Sequence, residues 1–222
     1  MPSQKGQDKW VLKVLNDKKK GFFVELGAGN GIEISNTCML ERKYEWTGIC
    51  IEPNPGMYKK LCKERKCICV PECVDDEAHE VEFCFRGGMG GGIIGKDTDN
   101  NPQHRGAHIA AARKSAQSKK LKTVTLEYIL LKFNAPKVID YLSLDVEGAE
   151  ERVLKNFPFD KYIFLTMTIE RPSPELNALL FKHGYIFVKN HQFDTFYVHY
   201  TLPGAKKLAG EFQQVPPKYK RK

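Results

Sequence analysis

Apolar positions along this chain switch repeatedly between a helical period and short unbroken runs. Residues 5–19 place Trp10, Val11, Val14 and Leu15 on one side, the spacing of an amphipathic helix. Residues 21–26 form a short apolar run in which Phe22, Phe23 and Val24 suit a strand buried on both faces. The pattern then predicts a helix over 32–43, a strand over 46–51 and a helix over 56–65. Glu52-Pro53-Asn54-Pro55 ends the second strand, because two prolines forbid its continuation. A third strand covers 67–74 and a short one 81–85, followed by a flexible stretch from 86 to 101. A helix over 124–133, a strand over 138–144 and a helix over 149–156 come next. A strand over 162–169, a helix over 174–183 and two strands over 185–189 and 193–200 end the pattern, with no internal repeat.

That alternation predicts an α/β, Rossmann-like fold: a mostly parallel sheet with helices on both faces. At 222 residues one domain is expected over 1–202, with a lid over 86–120 and a basic, flexible tail over 203–222. In such sheets ligands sit at the carboxyl ends of the strands. Glu25 to Gly31, Glu52, Cys73 to Asp75, Asp145 to Gly148, and Glu170 are therefore the residues to inspect.

Gly27-Ala28-Gly29-Asn30-Gly31 lets the backbone turn sharply and approach a ligand, since no side chain stands in the way. An ordinary glycine-rich turn would look the same, so the motif needs its neighbours. Glu52 follows the second strand, where a carboxylate accepts from both hydroxyls of a ribose. Asp75 or Asp76, after the third strand, is placed to accept from the exocyclic amine of adenine.

Composition narrows the classes. Hydrophobic residues make up 41% and charged residues 28%, the balance of a globular domain. No apolar run approaches the ~20 residues of a membrane span. Met1 to Asp8 lacks the apolar block of a signal peptide, so a cytoplasmic location is expected. The seven cysteines then read as free thiols. Net charge is +8, concentrated in 105–122 and 203–222, which favours an anionic partner or a solvated surface.

Four stretches together resemble the FkbM family of S-adenosylmethionine-dependent O-methyltransferases. They are Gln7-Asp8, Val24 to Gly31, Ile51-Glu52-Pro53-Asn54-Pro55, and Ile139 to Glu150, whose end Asp145-Val146-Glu147-Gly148-Ala149-Glu150 is the most specific part. The resemblance spans 4–199. It implies a seven-stranded class I methyltransferase sheet with an antiparallel last strand, and a hydroxyl acceptor on a sugar or polyketide. Relatives occur in bacteria and large viruses. The glycine run 87–95 and the basic stretch after it depart from the pattern.

On this reading Glu25, Gly27, Ala28, Gly29, Asn30, Glu52, Pro53 and Asp75 hold S-adenosyl-L-methionine. Sugar hydroxyls are very weak acids, so a positioned base or a metal must help to remove the proton. Asp145 and Glu170, with Glu147, are the catalytic candidates. Asp145 and Glu170 could instead hold a divalent cation, for which oxygen donors favour Mg²⁺ or Mn²⁺. The expected partner is a carbohydrate or glycan acceptor, anionic on the charge argument, rather than nucleic acid.

Other readings stay open. An RNA ribose methyltransferase fits the positive charge, but the strand ends offer Arg171 and no lysine. Asn54-Pro55-Gly56-Met57-Tyr58 is similar to an amino-methylating signature yet follows the wrong strand. A nicotinamide dehydrogenase lacks its glycine spacing, and a non-catalytic nucleotide-binding module would leave Asp145 and Glu170 without purpose. Cys67, Cys69 and Cys73 have the wrong spacing for zinc. His183 suits a helix end, whereas His104, His108 and His191 could meet an acceptor.

Overall fold

The computed structural model describes residues 3, 5–85, 90–115 and 117–218. The helices are α1 (Gln7–Val14), α2 (Cys38–Tyr44), α3 (Pro55–Glu64), α4 (Pro102–Lys114), α5 (Leu126–Lys132), α6 (Glu150–Lys155) and α7 (Pro174–Lys182). The strands are β1 (Phe22–Leu26), β2 (Thr47–Ile51), β3 (Ile68–Val70), β4 (Cys73–Val74), β5 (Glu80–Cys84) and β6 (Gly92–Ile93). They continue with β7 (Ser118–Val124), β8 (Val138–Leu144), β9 (Ile163–Glu170), β10 (Tyr185–His191) and β11 (Asp194–His199).

Seven strands form the main sheet in the order β10-β11-β9-β8-β1-β2-β3. Its pairs are parallel except those of β11, which runs antiparallel to β9 and β10. This is the expected seven-stranded, mostly parallel α/β sheet. Strand alternation sends Phe23 and Val24 to opposite faces, and each face has its own core. Phe23, Tyr141 and Phe196 pack with Trp10, Leu40 and Leu61. Val24, Leu142 and Met167 pack with Ile129, Leu154 and Leu176 from α5, α6 and α7. The chain leaves β1 outward through β2 and β3, then crosses back to β8, so the switch point lies between the ends of β1 and β8.

A second, four-stranded sheet, β4-β7-β5-β6, lies over that end. Cys73, Val81, Phe83 and Ile93 from it pack on Val146 and Ala149. The single strand expected over 67–74 is thereby divided. Pro71 has no N–H to continue a ladder, and Cys73–Val74 pairs with Thr123–Val124 of the second sheet.

Other differences have local causes. Helix α2 begins at Cys38 rather than near 32. Glu25 accepts from Ser35 Oγ, Asn36 N and Thr37 Oγ1, which holds that stretch as a loop. In the span 86–120, residues 86–89 lie outside the described residues, while 102–114 is helical and 118–124 is a strand paired with β5. Strand β7 escaped the hydrophobic pattern because Lys119, Lys120 and Lys122 fill its exposed positions.

The basic tail, expected to be flexible, is docked as far as Lys218. Gly210 N donates to Phe187 O at 3.0 Å. Asn190 Nδ2 donates to Gln213 O at 2.6 Å, and Gln214 Nε2 to Pro172 O at 2.6 Å. Val215 is buried. No helix among the described residues is long and apolar enough to cross a membrane.

Candidate active site

The turn after β1 and the loop after β8 abut at the switch point. Asp145 N donates to Leu26 O at 3.3 Å. Gly27 has φ +76°, and a Cβ there would stand 1.9 Å from Asp145 O. Only glycine fits that crossing. Gly27 N and Ala28 N donate to Ile51 O, which ties the turn to β2.

Glu52 follows β2 at the edge of this turn. Its Oε2 accepts from Gly29 N at 2.8 Å and its Oε1 from Asn54 N at 2.8 Å. Burial pushes its carboxyl above the usual range, and the two backbone donors work against that shift. Both oxygens are thus fixed at the cavity wall with lone pairs to spare. That cavity, about 310 Å³, is lined by Gly27, Gly29, Glu52, Asp145, Glu147 and Glu170, among others.

Beside it lies a narrower apolar slot between Leu26, Ile51, Pro53, Val74, Phe83 and Ile93. Glu72 borders the slot. Its Oε1 meets Lys132 Nζ at 3.1 Å, while Oε2 is buried with no hydrogen-bond partner among the described residues. A narrow apolar slot with one buried acceptor, next to a pinned carboxylate and a glycine turn, fits a nucleoside-bearing cofactor.

The remaining sequence candidates are employed elsewhere. Glu25 is buried among Ser35, Asn36, Thr37 and Arg65, whose Nη1 lies 3.5 Å from it. Ala28 packs in the core, and Asn30 Oδ1 accepts from Ile32 N and Glu33 N within its own turn. Asp75 is fully buried and accepts from Arg152 and His79. Its oxygens are committed to that cluster, and it does not line the slot, so Glu72 stands where an acceptor for adenine was expected of Asp75.

At the far end of the cavity Asp145 and Glu170 lie on adjacent strand ends, one step past the Leu144–Ile169 pair. Carboxylate oxygens of Asp145, Glu150 and Glu170 fall within 4.8 Å of one another, as do those of Asp99, Glu147 and Glu170. Burial, and then the neighbouring carboxylates, drive the Asp145 carboxyl well above its ordinary value. Burial also raises Glu170, against the hydrogen bond to Asp145 and the charge of Arg171, with which it forms an ion pair. Glu150 is pushed up to about 8, first by burial and then by Glu170, although its Oε1 accepts from Val146 N and Gly148 N.

Beyond the pair opens a second cavity of about 380 Å³, whose walls include Thr98, Asp99, Asn101, Gln103, His104 and Ser173. Glu170, Arg171 and Lys218 line both cavities. The sequence reading missed Glu72, Glu150, Asp99 and Lys218. Glu150 closes the Asp145–Glu150 motif and could have been found there; the other three carry no local signal. His183 stacks on Phe159 at the end of α7, as expected of a helix-end histidine. The cysteines are free, and among the described residues the groups that could hold a metal ion contain none of them.

No curated protein matches the chain. Among solved structures it is similar to the METTL16 methyltransferase domain, at 11% identity and TM-score 0.45, covering 87% of this chain and 65% of that one. It is similar to M. capricolum TrmK in complex with S-adenosyl-homocysteine, at 11% identity and TM-score 0.39, with 85% and 66% covered. A third is precorrin-6y C5,15-methyltransferase from Geobacter metallireducens, at 10% identity and TM-score 0.38, with 86% and 85% covered. The methyltransferase FkbM domain matches residues 25–195, from the strand before the glycine turn to the last strand. This chain belongs to the FkbM family of S-adenosylmethionine-dependent methyltransferases.

Proposed function

We propose that the protein transfers a methyl group to a hydroxyl of a carbohydrate, with Asp145 and Glu170 serving the acceptor. The observation that carries this reading is the position of the pair. It lies at the end of the cofactor-side cavity, and Glu170 also lines the wall of a second, polar cavity. S-Adenosylmethionine, when bound, supplies an electrophilic methyl on a sulfonium. Glu52 would hold the ribose hydroxyls, the slot beside Pro53 the adenine, and Glu72 Oε2 its amine. Gly27 and Gly29 keep the turn open to the amino-acid portion.

Two carboxyls this close share one proton, which leaves an oxygen of the pair able to accept another. That oxygen takes the proton the acceptor hydroxyl loses. The second cavity offers carboxylates, amides and hydroxyls, partners that suit a polyol. With Glu150 protonated and Glu170 sharing a proton with Asp145, Asp97, Asp99 and Glu151 balance Lys96, Arg171 and Lys218 in its wall, so the reacting end takes a neutral sugar. An anionic portion of the acceptor would lie outward, toward Arg105 and His108. A divalent cation, Mg²⁺ or Mn²⁺, is a second reading, favoured by the oxygen-only groups around Glu170.

Calorimetric titration of S-adenosylhomocysteine, followed by transfer of labelled methyl from S-adenosylmethionine to a panel of glycans and to RNA, tests this. Binding with sugar methyl ethers as product supports the reading. Label in RNA, or no cofactor binding at all, overturns it.

A further inference from the structure

The segment that follows the last strand does not end at the sheet edge; it returns to the site. Contacts at Gly210, Gln213 and Gln214, together with burial of Val215, carry it past β10 and the Pro172 turn. Gln214 Oε1 also accepts from Asn177 Nδ2 at 3.0 Å. This path delivers Lys218 to the boundary of the two cavities, both of which it lines. Lys218 Nζ lies 2.9 Å from Asp99 Oδ2 and 3.0 Å from Glu147 Oε2. Those carboxylates, with Glu170, present oxygens within 4.8 Å of one another.

Three such groups cannot all be ionised side by side without a positive charge among them. A proton, an ammonium or a metal ion can supply it. Backbone geometry fixes the two loops that carry Glu147 and Asp99. Glu147 has φ +56°, a left-handed conformation that is uncommon outside glycine. Asp99 N donates to Glu147 O at 2.9 Å, and a Cβ on Gly148 would stand 2.6 Å from Asp99 N. The two acids are therefore held facing the tail by their own loops.

We propose that Lys218, delivered by the docked C-terminal segment, is the resident counter-ion of the acceptor-side carboxylates and holds the position a divalent cation would otherwise take. The inference rests on the methyl-transfer reading of the same site and narrows it, because it makes the acid cluster independent of metal. Lys218 acts as a positioning residue: it orients Asp99 and Glu147 at the acceptor wall. Burial works against its charge, but Asp99 and Glu147 outweigh that and hold it above the ordinary lysine value. It therefore remains a cation throughout the neutral range. The ammonium is a compact point charge with three donors, a closer substitute for a bare cation than a side chain that carries no charge.

The test is titration of Mn²⁺ alone into the full chain, into Lys218→Met and into Lys218→Arg, followed by calorimetry and by the electron spin resonance signal of free Mn²⁺. Expected is Mn²⁺ binding at least about tenfold tighter in Lys218→Met than in the full chain, since the oxygen donors are then released to a hard cation. Lys218→Arg, which keeps the charge, behaves as the full chain does. Adding Asp99→Asn to Lys218→Met removes the gained binding. Equal Mn²⁺ affinity in the full chain and Lys218→Met, or gained binding indifferent to Asp99→Asn, overturns the proposal. Titration of S-adenosylhomocysteine into each variant reports on the cofactor site alone. A full chain that fails to bind it counts against the methyl-transfer reading and not against the role of Lys218.

Discussion

Asp145 and Glu170 face one another from the ends of neighbouring parallel strands, each past the Leu144–Ile169 pair that sets their register. Their closeness makes them a unit: burial raises both, the charge of Glu170 raises Asp145 further, and the hydrogen bond between them lets one proton serve two carboxyls. Neither position depends on a flexible loop, because β8 and β9 are central strands of the main sheet. Asp145→Asn keeps the shape and removes the sharing. Affinity for S-adenosylhomocysteine should stay within about threefold while turnover drops by about 10²–10⁴, the usual contribution of a positioned acid or base. Single-turnover methyl transfer to the identified acceptor measures it, and wild-type turnover in Asp145→Asn would end the assignment.

The cofactor half of the site separates into two carboxylates with distinct tasks. Glu52, pinned by Gly29 N and Asn54 N, faces the larger cavity. Glu72 offers the apolar slot a buried oxygen that has no hydrogen-bond partner among the described residues. Glu52→Ala should weaken S-adenosylhomocysteine by about 10–100-fold, the equivalent of roughly 1.5–3 kcal/mol for hydrogen bonds to a charged group. Glu72→Gln should instead erase a preference for the adenine cofactor over its inosine analogue, which lacks the exocyclic amine. Calorimetry with both ligands divides the two roles; an unchanged preference in Glu72→Gln would remove Glu72 from the slot.

Much of the architecture was legible because hydrophobic period and strand-ending residues agreed. Phe22 to Leu26 and Val138 to Leu144 read as buried strands and are the two that meet at the switch point. The site was legible in part. Glu52, Asp145 and Glu170 could be placed because each directly ends a strand of the main sheet. Glu72 and Asp75 were harder, since Pro71 breaks the expected strand and shifts which acid reaches the slot. Asp99 and Lys218 depend on where a loop and a tail dock, and neither carries a periodic signal that local reading can use. The buried partners of Glu25 were hidden for the same reason: Arg65 comes from the far end of α3.

Glu25 gives a clean contrast between a fold role and a ligand role. It is almost wholly buried, as is Arg65, which lies 3.5 Å away and also donates to Ser35 Oγ and Thr37 Oγ1. Breaking one side of a buried ion pair costs up to about 3–5 kcal/mol; Arg65 keeps Glu41, whose Oε2 lies 2.8 Å from its Nε, which moderates the cost here. Glu25→Ala should therefore lower the free energy of unfolding, read from denaturant titration, by at most that amount. The fraction that remains folded should bind S-adenosylhomocysteine within about threefold of wild type, since Glu25 does not reach the cavity. A stable Glu25→Ala protein with lost cofactor binding would return Glu25 to the ligand.

Glu150 makes stability depend on pH. Its carboxyl is pushed up to about 8 by burial and by Glu170. The native state thus holds that proton more tightly than the unfolded chain, whose glutamates titrate near the ordinary value. The stabilisation is complete below the unfolded pKa and is lost as pH rises toward 8. At about 1.4 kcal/mol per unit, the loss amounts to a few kcal/mol. Glu150→Gln cannot ionise, yet its carbonyl oxygen can still accept from Val146 N and Gly148 N, as Oε1 does now. The melting temperature of the wild type should fall between pH 5 and pH 9, and the fall should be shallower in Glu150→Gln. Thermal unfolding at matched ionic strength across that range is the measurement. Parallel curves for the two proteins would mean that Glu150 is already ionised in the folded state, and that the proton of this cluster resides on Asp145 and Glu170 alone.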